Sequence, residues 1–166
     1  MPFVLNDLGV ENPATLGAVA AVPALASAIG AIGFGRLAHL SVRVLVPAEF
    51  ATAAVGLLIV PMAHDPVVTT AGTIVHGFAP GMVLPTMLTW SVSRLSFDQR
   101  GRGAGLGNGV INIGGFATPF VMSALGTGAG GLQHALMLLA AVSGVISIAW
   151  AVVLRREIRP LNHSGE

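Results

Sequence analysis

Five apolar stretches alternate with short polar ones along the 166-residue chain. The first runs about 13–34 (PATLGAVAAVPALASAIGAIGF) and the second about 44–63 (VLVPAEFATAAVGLLIVPMA). The third, about 67–92, reads VVTTAGTIVHGFAPGMVLPTMLTWSV, and the last two, about 104–125 and 132–154, are separated by GTGAGG. That small, flexible hexapeptide is a turn signal rather than a helix interior. Each stretch is close to the roughly 20 apolar residues needed to cross the hydrocarbon core as a helix. All are too long and too uniformly apolar for barrel strands of about 10 alternating residues. The pattern predicts an all-α membrane protein with five transmembrane helices. Residues 1–12 form an external segment, 13–154 the five-span bundle, and 155–166 a tail on the opposite side.

Composition agrees. Charged residues make up 9% of the chain and mean hydropathy is +0.82, whereas soluble domains carry about 25% charged residues. No Asp, Glu, Lys or Arg occurs from Gly103 to Leu154. The chain has no cysteine, which removes disulfides, thiolate metal sites and thiol nucleophiles. A net charge of +1 gives no reason to expect a nucleic-acid partner.

The placement of charge tests the count of spans. All eight basic residues other than histidine are arginines. Arg36 and Arg43 fall in the first connection, Arg94, Arg100 and Arg102 in the third, and Arg155, Arg156 and Arg159 after the last span. Five spans put every arginine on one side of the membrane, and arginine excess marks the cytoplasmic side. The N-terminus is therefore expected outside and the C-terminus inside. An arginine at the centre of a spanning helix costs about 2.5–3.5 kcal/mol on insertion scales, which explains the crowding of cations into SRLSFDQRGR, read here as an inner loop. Trp90 and Trp150 both fall near predicted inner ends, where indoles favour the headgroup zone.

The glycines of GRGAGLGNG do not form a phosphate-binding loop. A dinucleotide fingerprint needs glycines at i, i+2 and i+5, and the i+5 positions here are Leu106, Asn108, Val110 and Asn112. Gly101, Gly105 and Gly109 are instead spaced to line one helix face, where a neighbouring backbone approaches closely.

Polar groups within spans are the candidate chemistry, because an intramembrane ionisable group is a functional-site hypothesis by default. Thr69, Thr73 and His76 share a face of the third span, and Asn108 and Asn112 share a face of the fourth. These five are the candidates for a substrate or proton path, set against the plainer reading of helix-bridging polar groups. Glu49 is expected near an inner helix end, solvated or arginine-paired. Pro23, Pro80, Pro85 and Pro119 fall inside spans and favour bends, which makes the third span the least regular. The last span reads as a smooth, lipid-facing helix. No metal site or cofactor is expected, and the separated histidines without a carboxylate pair argue against an enzyme.

The passage GMVLPTMLTWSVSRLSFDQRGRGAGLGNGVINIGGFATPF resembles the helix 10–loop–helix 11 region of the drug- and metabolite-efflux branches of the major facilitator superfamily. GRLAHLSVR resembles the second copy of that family's loop motif, Gly-x-Leu-Ala-Asp-Arg-x-Gly-Arg. Gly35, Leu37, Ala38 and Arg43 match; His39, Leu40 and Val42 replace the acid, the arginine and the glycine. The resemblance implies a partial C-terminal bundle, from the end of helix 7 to helix 12. It implies secondary transport of a small-molecule substrate across the cell membrane by alternating access, with proton-coupled efflux as the branch expectation. It also implies that the chain is a fragment lacking an N-terminal half. The alternative is a small, non-transporting integral membrane subunit that assembles with a partner membrane protein.

Overall fold

The computed structural model describes residues 12–128 and 131–153, without the side chains of residues 15, 16, 19 and 20. The expected external segment and inner tail, with Arg155, Arg156 and Arg159, lie almost wholly outside the described residues. Five helices account for nearly all of the described chain: α1 (Pro13–Leu37), α2 (Val42–Met62), α3 (Pro66–Arg94), α4 (Phe97–Gly128) and α5 (Leu132–Val153). The protein is an all-α membrane protein. Helices α2 to α5 are each long and apolar enough to cross a bilayer. Helix α1 has 25 residues, about 37 Å at helical rise, and its described apolar stretch is Ala21–Leu37.

The helix starts follow from local chemistry. Asn12 and Asp65 occupy the N-caps of α1 and α3, each followed by a proline whose missing N–H is no loss at that position. Their side chains accept from the backbone N–H of Ala14 (2.9 Å) and Val67 (2.6 Å), satisfying one of the donors left over in a first turn. Helix α4 begins at Phe97, seven residues before the expected span. Arg100 and Arg102 thus lie in its first two turns rather than in a loop. The sequence Ser96-Phe97-Asp98-Gln99 has capping-box spacing, and the Gln99 N–H reaches the Ser96 carbonyl at 2.9 Å. At the other end, Gly131 has φ +121°, a conformation that favours glycine, and its N–H bonds the Gly126 carbonyl at 2.9 Å. The expected turn signal therefore marks the α4–α5 connection, although α4 runs on to Gly128.

Helix α3 is the centre of the bundle, packed on α1 along one side and on α2 along another; α2 in turn packs on α5. Despite Pro80 and Pro85, α3 runs as one helix. Its approach to α1 is set by glycines. A Cβ at Gly77 would come within 2.7 Å of the Pro23 carbonyl oxygen, and one at Gly81 would overlap the Ser27 carbonyl. Gly30 faces the backbone of Phe78 in the same way. Small residues at the crossing let the two backbones touch, which is how helices associate where lipid is as apolar as leucine.

Three apolar clusters fill the remaining contacts. Phe34, Leu45 and Met82 join α1, α2 and α3, and Val60 and Leu136 join α2 and α5. Val42 and Val46 pack with Phe50, Met87, Trp90 and Trp150. Trp90 and Trp150 meet edge to face with centroids 6.1 Å apart, tying the end of α3 to the end of α5. Ser147 of α5, on the span expected to be smooth and lipid-facing, donates to the Pro47 carbonyl at 2.7 Å. Helix α4 differs from the rest: its main contacts, with α3 and α5, are light, and none of its residues is buried.

Candidate functional site

The buried polar side chains among the described residues are Glu49 on α2 and Thr69, Thr73 and Thr86 on α3. Thr69 and Thr73 are fully buried. Their hydroxyls return to their own helix, Thr69 to the Asp65 carbonyl at 3.1 Å and Thr73 to the Thr70 carbonyl at 2.6 Å. Hydroxyls bonded back in this way present only their methyls to the neighbour, so they suit close packing. His76 continues the same face. A Cβ at Gly56 would come within 2.6 Å of the His76 Cα, so α2 has a glycine where the histidine backbone crosses it. Gly72 likewise faces Ile59 and Val60. The His76 ring lies against the backbone of Ala53, and its Nδ1 is buried without a hydrogen-bond partner.

The expected alignment of Thr69, Thr73 and His76 is thus present, and the face they share packs against another helix of the chain. Within that packing His76 holds the unused hydrogen-bonding capacity. A buried polar atom without a partner costs about 1–3 kcal/mol, and groups carrying such a cost in native structures call for an explanation.

Further along the same interface lies a pair that sequence reasoning missed. Glu49 of α2 is 2% exposed and Thr86 of α3 is fully buried. The Thr86 hydroxyl donates to Glu49 Oε1 at 2.5 Å. Oε2 of the same carboxyl is buried with no partner. Glu49 stands two turns inside α2, which starts at Val42, and is neither solvated nor paired with an arginine, contrary to expectation. The physical reason is the helix start. With Ser41 at the N-cap, Glu49 is the eighth helical residue, about 10 Å up the axis, on the side turned to α3.

Asn108 and Asn112 lie elsewhere. Both are exposed on α4, where Asn112 Nδ2 donates to the Asn108 carbonyl at 2.8 Å and contacts Asn108 Oδ1 at 3.3 Å. Gly101, Gly105 and Gly109 share that helix, and a Cβ at any of them would meet nothing within 4 Å. Among the described residues none neighbours the glycine row. Asn108 and Asn112 bond each other and make no hydrogen bond to His76.

Of the loop-motif residues, Leu37 and Ala38 pack against the Phe34–Leu45–Met82 cluster and Gly35 is exposed. Arg43 is half-buried, with Nε and Nη2 buried and unpartnered. Among the described residues no group of His, Asp and Glu could hold a metal ion.

A family model described as Major Facilitator Superfamily matches residues 1–166. Neither the comparison with curated proteins nor that with solved structures gave a match.

Proposed function

The chain belongs to the major facilitator superfamily, and on that premise we propose that it moves a small solute across the cell membrane by alternating access, as the C-terminal bundle of a proton-coupled efflux transporter. Membership supports secondary transport of a small solute, the common activity of the family, rather than enzymatic chemistry. Alternating access rocks one helical bundle against another around a site near the bilayer midplane.

The observation that carries the two-bundle reading is α4. Its Asn108 and Asn112 are uncovered, its glycine row has open space beside it, and none of its residues is buried. Polar groups in a span face protein or a water-filled path rather than lipid. In this account Asn108 and Asn112 line the substrate path, the row from Gly101 to Gly109 receives a further helix, and a second bundle closes the path. His76 takes part from the α2–α3 side through its unpartnered nitrogen. Glycine, leucine, alanine and arginine at 35, 37, 38 and 43 shape the turn that lets α1 and α2 move as a unit.

The test is flux through sealed vesicles of native membranes from cells that express the chain, where a second bundle is available to it, under an imposed pH gradient. A panel of a lipophilic cationic dye, an organic acid and a sugar is compared with vesicles lacking the protein. The account expects at least one solute to move faster, and Asn112→Ala to slow it. Equal rates for every solute contradict it. The exposed α4 face also favours a second reading, a non-transporting subunit that seats α4 against a partner membrane protein. That reading expects a stable complex in native membranes together with no flux.

A further inference from the structure

Among the described arginines, Arg36, Arg94, Arg100 and Arg102 are exposed. Arg43 is the exception: it is half-buried, and its Nε and Nη2 are buried without a hydrogen-bond partner. These two nitrogens stand on one edge of the planar guanidinium, with their N–H groups parallel. That edge is the fork that grips two oxygens of a single carboxylate or phosphate. A charged donor shut away from water without an acceptor is costly, and a pair of them on one edge calls for an oxyanion.

The acids among the described residues are Glu49, Asp65 and Asp98, and none supplies it. Glu49 accepts from Thr86 through one oxygen and leaves the other without a partner. Asp65 caps α3 at the far end of α2, and Asp98 is exposed in the first turn of α4. The start of α2 adds to the positive field. Ser41 at its N-cap makes no side-chain capping bond. Arg43 stands in the first turn, where the helix dipole is itself positive and disfavours a cation.

The surroundings select the source of the oxyanion. Val42 and Val46, before and after Arg43 on α2, pack with Trp90 and Trp150, and indoles favour the headgroup zone. An apolar stripe begins beside Arg43. Val44, Ala48, Ala51, Val55, Leu58 and Met62 are exposed, and spacings of three and four put them on one face of α2. The stripe runs about 27 Å along the helix. A soluble phosphate has no use for it, whereas the acyl chain of a lipid does. A zwitterionic headgroup would bring its own ammonium to a cationic place, so a net-anionic one fits. Basic pockets between spanning helices on the cytoplasmic side bind anionic headgroups of this kind.

We propose that the Nε–Nη2 edge of Arg43 holds the phosphate of an anionic phospholipid at the arginine-bearing end of the bundle, with an acyl chain over Val44, Ala48, Ala51 and Val55. The long arginine stem turns the edge to the headgroup level as the lipid arrives, while its methylenes stay against the protein. The lipid supplies the counter-charge that the described residues lack, and it fastens the start of α2 to the leaflet. The site lies apart from the Asn108–Asn112 face and stands whether or not the chain transports a solute.

The test is native mass spectrometry of the full chain, stripped of lipid in a neutral detergent and titrated with phosphatidylglycerol. Phosphatidylcholine is titrated in parallel, and glycerol phosphate is added as a soluble competitor. The expected result is saturable uptake of a single phosphatidylglycerol, little phosphatidylcholine, and no displacement by glycerol phosphate. Arg43→Gln should bind phosphatidylglycerol at least about tenfold more weakly, as for the loss of a charge-assisted hydrogen bond, whereas Arg36→Gln should bind it as the wild type does. Arg43→Lys keeps the charge but not the two-donor edge, and should also lose most of the binding. Undiminished binding by Arg43→Gln or Arg43→Lys overturns the proposal, and so does equal uptake of the two lipids. Displacement by glycerol phosphate overturns the lipid as the source and marks a soluble phosphate instead. Should Arg43→Gln fail to fold, Arg43→Lys and the wild-type lipid preference decide.

Discussion

Gly81 of α3 lies directly against the backbone of Ser27 in α1, so close that a methyl group on Gly81 would overlap the Ser27 carbonyl oxygen. Four residues earlier Gly77 meets Pro23 in the same way. This glycine pair joins the first helix to the rest of the bundle, and it makes the crossing sensitive to a single carbon atom.

Gly81→Ala should therefore destabilise the protein, with the overpacking penalty of about 1–3 kcal/mol. Gly109→Ala, whose new methyl would meet open space in this chain, should leave the stability of the isolated chain unchanged. Thermal unfolding in detergent, followed by tryptophan fluorescence, checks both. Equal shifts for the two variants would contradict the packing described.

Gly109→Leu separates stability from assembly. If a second bundle seats on α4, the bulky side chain should abolish flux, or capture of a partner, in membranes while the melting temperature of the isolated chain stays the same. Unchanged flux and partner capture would show that nothing packs on this face.

Trp90 and Trp150 meet at 6.1 Å in a T-shape. Such a pair contributes about 0.5–1.5 kcal/mol beyond area burial. A double-mutant cycle with Trp90→Leu and Trp150→Leu should return a coupling energy in that range. A cycle that closes at zero would mean that α3 and α5 do not meet at these ends.

Ser147→Ala removes the hydroxyl that donates to the Pro47 carbonyl at 2.7 Å. Hydrogen bonds between helices in membranes average about 0.6 kcal/mol in double-mutant cycles. The expected effect is a small loss of thermal stability, well below that of Gly81→Ala. A loss as large as that of Gly81→Ala would place more of the α2–α5 contact on this one bond than its geometry supports.

The helices were legible from the sequence because uninterrupted apolar runs of this length have few other uses. The shared face of Thr69, Thr73 and His76 was legible too, from spacing alone. What covers that face was not, because the residue opposite His76 is Gly56, and a glycine in an apolar run gives no sign of which helix it will meet. The same limit applies to the two glycine rows. Gly77 and Gly81 have the same four-residue spacing as Gly101, Gly105 and Gly109, yet among the described residues only the first pair meets another helix, at the backbone of Pro23 and Ser27. Glu49 stood out as a carboxylate in an apolar stretch. Its depth depended on α2 starting at Val42, and its partner Thr86 is 37 residues away, at a separation no local pattern reports. Arg100 and Arg102 moved from the expected loop into α4 because Ser96 and Gln99 start the helix early.

The helices are expected to cross the membrane with their arginine-bearing ends inside. The absence of cysteine allows single cysteines to be placed at will: Ala14→Cys at the start of α1, His39→Cys between α1 and α2, His64→Cys between α2 and α3, and Ser96→Cys between α3 and α4. Labelling intact cells with a membrane-impermeant maleimide is the most direct measurement. The account predicts that positions 14 and 64 react in intact cells, and that positions 39 and 96 react only after permeabilisation. Labelling of 39 or 96 in intact cells, or protection of 14 together with exposure of 64, would contradict the crossing of the helices as described.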